Sequence, residues 1–227
     1  MVANDLSTVA RRTFLAGAAA TAVLALPGCN SLPALSLTDA IRRLLSRASR
    51  AAFARLTAPG GFYDNELARL DLPDVFGRRG GVLQNILSSA VFKTRLQREF
   101  NHIAERGARR AAPLVADAVR LIGIDNAREL IRGGPTAATG FLRQSMGASL
   151  IEAMVPELGE GMRLASDPIV GEAIAALTGL DVGAVARALS VRAEEAIWGE
   201  IGRQEADIRA NPESTNDPVL IGALKML

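Results

Sequence analysis

Few residues in this chain have both the type and the spacing for chemistry. Glu99 and His102 form an E-x-x-H, a spacing that places both side chains on one helix face and that di-iron carboxylate bundles use to hold metal. Such sites need two copies, and His102 is the only histidine. A resident metal would therefore require a second copy of the chain, and no metal or cofactor is expected. The simpler reading pairs His102 on a polar face with Arg98, Glu99 or Arg106. A serine nucleophile would lack its G-x-S-x-G elbow, so no catalytic triad is indicated. Gly133-Gly134-Pro135-Thr136 lacks the Lys-Ser/Thr ending of a phosphate loop and follows a predicted helix, not a strand. It reads instead as a helix stop and start, and Thr136 to Gly140 offers small residues for close packing. That leaves Cys29, the only cysteine, which can form neither an internal disulfide nor a thiolate zinc site.

The surroundings of Cys29 suggest its role. Arg11 and Arg12 precede a short apolar run, Leu15 to Leu26, which leads through Pro27-Gly28 to the cysteine. This is the plan of a secretory signal, and the run is well short of the ~20 residues that span a bilayer. Arg11-Arg12-Thr13-Phe14-Leu15 resembles a twin-arginine signal, with Ala10 where Ser or Thr is usual, so general secretion stays open. Leu26-Pro27-Gly28-Cys29 resembles a lipoprotein box whose cysteine is acylated. Acylation would tether the domain to a membrane, and the absence of Asp at position 30 points to the outer membrane and a periplasmic location. The expected organisation is a signal over 1–28, a linker over 29–37, a helical domain over 38–212 and a tail over 213–227.

The elements behind the signal are read from apolar spacing. Thr38 or Ser36 can cap a helix from near Asp39, with Ile41, Leu44, Leu45, Ala48, Ala52 and Leu56 on one face. Arg43, Arg47 and Arg50 fall on the opposite face, which reads as solvated, with anionic headgroups as the alternative contact. Pro59-Gly60-Gly61 ends this helix, and a short extended arm is expected over 62–73. Gly77 to Gly81 is a loop. Helical spacing returns at Val82, Ile86 and Leu87 and runs on through Phe92, Leu96, Phe100 and Ile103. Pro113 is expected to open a new helix to Ile122, and Asp125 or Asn126 another to Arg132. After Gly133-Gly134, Pro135 would begin a helix reaching Met154. Pro156, Gly159, Gly161, Pro168, Gly171 and Gly179 would then cut the chain into short pieces. A long helix is predicted from Asp181 to Arg209, ending before Asn211-Pro212, and the apolar tail from Val219 is expected to dock on its own domain.

Composition agrees with an all-α, single helical-bundle-like domain. Aromatics make up 4% of the chain, so the core must come from Ala, Leu, Ile and Val, and the first two favour helices. Net charge is +2, and Arg11 and Arg12 against Asp5 supply one unit of it. That field is too weak to indicate nucleic-acid binding. Lysine occurs only at Lys93 and Lys225. Arginine forks onto phosphate oxygens, but GC-rich coding produces the same arginine bias, and that is the reading favoured here.

Several segments together resemble one family. They are Asn101 to Glu105, Pro113, Asp117-Ala118, Asp125 to Ala127, Gly133 to Thr139 and Phe141 to Arg143, flanked by Gly60 to Pro73 and by Ile208 to Pro212. The chain is similar over about 37–224 to domain of unknown function family 4197, a set of bacterial exported proteins, often lipoproteins. Arg109, Ser145 and Asn126 stand where that family commonly has Pro, Thr and Asp. The resemblance implies a helical exported domain and supplies no activity. Its signature residues of unassigned role are Asn101, Glu105, Asp117, Gly133, Gly134, Thr136, Thr139, Arg143, Arg209, Asn211 and Pro212. Three functions follow as expectations: a tethered, non-enzymatic protein that holds a protein partner, a carrier of an apolar ligand or lipid gated near 156–183, or a hydrolase using Glu105 or Asp117. The first is favoured because no nucleophile, base or metal set converges.

Overall fold

A computed structural model describes residues 34–72, 89–164 and 182–225. The signal residues Arg11, Arg12, Phe14 and Leu15, the lipidation candidate Cys29, the 77–81 loop, the helical spacing at 82–87 and the breaks at Pro168, Gly171 and Gly179 lie outside these residues. The described chain is all-α, with seven α-helices and no strand. Four of them, α1 (Ala34–Leu56), α2 (Ala90–Leu121), α5 (Ser149–Arg163) and α6 (Val182–Ala210), form the bundle. In it α1 packs on α6 and α2, and α5 packs on α2 and α6. The shorter α3 (Ala127–Arg132) and α4 (Ala137–Met146) lie against α1, and α4 also meets α6. A 3-10 turn, Pro212–Thr215, leads to α7 (Pro218–Lys225), which packs on α1 and so docks the apolar tail on its own domain.

The apolar face of α1 behaves as its spacing requires. Ile41, Leu44, Leu45, Ala48, Ala52 and Leu56 are all fully buried. The helix starts earlier than Asp39, at Ala34. Residues 57–68 form successive turns, and 69–72 belong to no regular element, so the extended arm expected over 62–73 is not a strand. Its register is held by the Asn101 side chain, which does locally what a neighbouring strand would do, accepting from Leu70 N (2.8 Å) and donating to Leu70 O (3.0 Å).

Three helix boundaries differ from the sequence reading. Pro113 does not open a helix; it lies inside the 32-residue α2. Its ring is exposed, while Ala108, Ala111, Val115 and Val119 are buried on the other face. The lost hydrogen bond costs about 3 kcal/mol, and the continuous buried face offsets it. The helix after Gly133 does not run to Met154, nor does Pro135 enter its first turn. It begins at Ala137 and breaks at Gly147, whose φ of +54° is open to glycine at little cost. Finally, Pro156, Gly159 and Gly161 lie within α5 and do not cut it. A Cβ on Gly161 would stand 2.8 Å from Ile103 Cγ2, and one on Gly107 would stand 2.4 Å from Leu158 Cδ1. These two glycines let α2 and α5 approach each other more closely than side chains would allow.

Candidate functional site

The family-signature residues fall into structural knots. The largest is built on Glu205, which is fully buried in α6. Its carboxylate accepts from the backbone N–H of Ala138 (3.1 Å) and Thr139 (2.7 Å), from Thr139 Oγ1 (2.6 Å) and from Arg209 Nε (2.8 Å). Arg209 in turn donates Nη1 to Ile131 O and Nη2 to Leu130 O, each at 2.8 Å. A carboxylate thus serves the open N–H groups at the start of α4, and a guanidinium serves the open carbonyls at the end of α3. Gly133 and Gly134 make the turn between those two helix ends. Thr136 sits at the N-cap position of α4, against Gly202 of α6.

Other signature residues make their own ties. Asn101 is fully buried and also donates to Gln97 O (2.7 Å). Arg143 forks onto the buried Glu194 through Nε (3.2 Å) and Nη2 (2.8 Å). Glu105 is buried, and its Oε2 lies 3.3 Å from Nδ1 of His102, whose side chain is half exposed. His102 therefore meets Glu105, a partner the sequence reading did not name. Arg106 holds Glu157, and Arg98 lies over the Tyr63 ring together with Arg69. Among the described residues no three His, Cys, Asp or Glu side chains gather to hold a metal. Asn211 precedes the 3-10 turn, where Pro212 is buried.

Asp117, the remaining signature residue, is exposed and pairs with Arg120. It borders an open cleft of about 650 Å³ between the middle of α1 and the last turns of α2. Arg42, Arg43, Arg47 and Arg50 line it from α1, and Arg120 and Asp117 from α2, with Asp217 from the start of α7. Asp217 is buried. Its Oδ1 accepts from Val219 N and Leu220 N and so caps α7, while its Oδ2 receives Arg43 and Arg47. Burial alone would raise its pKa. The Leu220 N–H, the Arg43 guanidinium and the Val219 N–H outweigh burial and hold it below the ordinary carboxylate value. The arginine row of α1 is solvated as read from the sequence, with Arg43 and Arg50 exposed, and Asp217 and the end of α2 flank it to form the open cleft.

Sequence reasoning missed Glu205, Asp217 and the cleft. Only Glu205 had a local signal, its i,i+4 spacing to Arg209. A second cleft, beyond Pro113, sets Arg110 beside Glu157 and carries no comparable charge excess.

The fold is an all-α bundle in which Asn101, Thr139, Arg143 and Arg209 tie its elements together. The chain belongs to the family described as "Protein of unknown function (DUF4197)", whose model matches residues 31–223. No curated protein and no solved structure matches it.

Proposed function

We propose that this chain is an exported envelope protein, tethered by acylation of Cys29 to the periplasmic side of the outer membrane, that works by binding and not by catalysis. The observation that carries the binding reading is the commitment of the signature side chains to structure. Asn101, Thr139 and Arg209 each donate to groups that hold a loop or helix ends in place, and Arg143 ties α4 to the middle of α6 through Glu194. A signature of this kind keeps a surface in shape for a partner; a reactive site would instead leave its polar groups turned toward substrate. The tether reading rests on the Arg11-Arg12 signal and on the box ending at Cys29.

The test compares the mature N-terminal peptide of the wild type and of Cys29→Ser in membrane and soluble fractions. The expected result is a peptide beginning at Cys29 with the added mass of acyl chains, and release of the substituted protein into the soluble fraction. An unmodified peptide in the soluble fraction of the wild type overturns the tether. Turnover of a substrate that a single polar substitution abolishes overturns the binding reading.

A further inference from the structure

We propose that the arginine cleft between α1 and α2 is a binding site for a phosphate-bearing anion, either a lipid headgroup or a soluble phosphorylated molecule. Five arginines line it, and among the described residues three carboxylates, Asp39, Asp117 and Asp217, engage them. Among the described residues no carboxylate pairs with Arg42 or Arg50. The excess charge is concentrated in one concave place on a chain whose net charge is only +2.

The guanidinium groups are also held ready. Arg42 donates Nη2 to Ile122 O (3.1 Å), and Arg50 donates Nε to Ser46 O (3.0 Å). Arg47 rests on Asp217 through Nη2 and Arg120 on Asp117 through Nη2. Each is fixed at one nitrogen and keeps other N–H donors, which lowers the ordering cost of gripping a ligand. Arg42 Nε is a buried donor without a partner among the described residues, and such orphans are costly in a site with nothing to bind.

Several forked donors arriving from two helices match a tetrahedral oxyanion that accepts many bonds; one carboxylate would be satisfied by a single fork. The cleft, at about 650 Å³, falls within the ~300–1,000 Å³ of small-molecule sites. It therefore has room for more than a bare phosphate. The inference rests on the reading of this domain as a binding protein, but not on acylation of Cys29.

The test uses the full chain in neutral detergent, as wild type and as Cys29→Ser. Inorganic pyrophosphate is titrated by calorimetry, and thermal shifts are recorded in micelles doped with phosphatidylglycerol or with phosphatidylcholine. At least one anionic probe is expected to bind, and Arg42→Gln/Arg50→Gln should weaken it about tenfold. Arg128→Gln/Arg187→Gln, which removes two exposed arginines elsewhere, should change it less than about twofold, and raised salt should weaken wild-type binding. If the double variant does not fold, Arg50→Gln alone, whose side chain bonds only its own helix at Ser46, carries the test with a loss of about threefold. Pyrophosphate binding alone assigns a soluble ligand, and a phosphatidylglycerol shift alone assigns a headgroup. No binding of either probe, or equal losses in cleft and control variants, overturns the proposal. Binding that persists in a chain whose Cys29 proves unmodified leaves the cleft assigned and removes only the tether.

Discussion

Replacing Arg209 with leucine would strip the buried Glu205 carboxylate of its guanidinium and leave the Leu130 and Ile131 carbonyls without that donor. Glu205 is fully buried and Arg209 nearly so, so solvent cannot stand in for the lost partner. Breaking a buried pair from one side costs about 3–5 kcal/mol, a large share of the 5–15 kcal/mol, roughly, that holds a domain together. In a chain of this size each kcal/mol moves the melting temperature by about 2–4 °C, so Arg209→Leu should melt about 6–20 °C below wild type. Thermal unfolding followed by circular dichroism at the helical band reads this directly. Adding Glu205→Gln to Arg209→Leu should recover part of the loss, because a neutral amide needs no counter-charge and its oxygen still accepts from Thr139. A melting point within about 2 °C of wild type for Arg209→Leu, or a double variant whose loss is the plain sum of the two single losses, would refute the ion-pair argument.

Three further outcomes are expected. Asn101→Ala removes both side-chain bonds to Leu70 from a buried position, so it should cost about 2–3 kcal/mol in urea titration and speed hydrogen exchange at the Leu70 amide. Gly161→Ala puts a methyl against Ile103 Cγ2 and Cγ1 and should destabilise by about 1–3 kcal/mol, and with Ile103→Ala, which removes both of those atoms, the double variant should lose less than the sum of the two single losses. Asp217 is held below its ordinary pKa, and so is the buried Glu200, whose own desolvation is outweighed by Arg203, Gln204 and Arg55. Both carboxyls therefore take up protons more readily in the unfolded chain. Their stabilisation should be complete above about pH 5 and fall away as pH drops through about 4 and below. Melting curves between these limits should show the loss, and Asp217→Asn should flatten it.

Legibility in the sequence followed how local each cause is. The long α6 could be read because Val185, Leu189, Ala193 and Ile197 repeat on one face, and they are buried as that spacing requires. Pro113 was misread because its cost is local but the offsetting burial of Val115 and Val119 depends on packing against other helices, which no window around the proline contains. Gly161 looked like a breaker for the same reason, since its explanation is Ile103, on another helix. At the knot, Arg209, Thr139 and Gly133 were picked out as a signature, but their meaning required Glu205, which lies 66 residues from Thr139. The basic face of α1 was visible residue by residue. What turned it into a cleft was Asp117 and Arg120 from α2 and Asp217 from α7.

The packing of α7 on α1 also bears on synthesis. Arg43 meets Asp217 across 174 residues, and at about 5–20 residues per second a ribosome needs roughly 10–35 s to add that many. Of the two bundle helices that pack on α1, α2 emerges midway and α6 late. Until α2 is made, Ile41, Leu44 and Leu45 have no native neighbour helix, and their cover is complete only once α6 and α7 have been added. A fragment that ends before α6 would therefore leave part of the α1 apolar face uncovered.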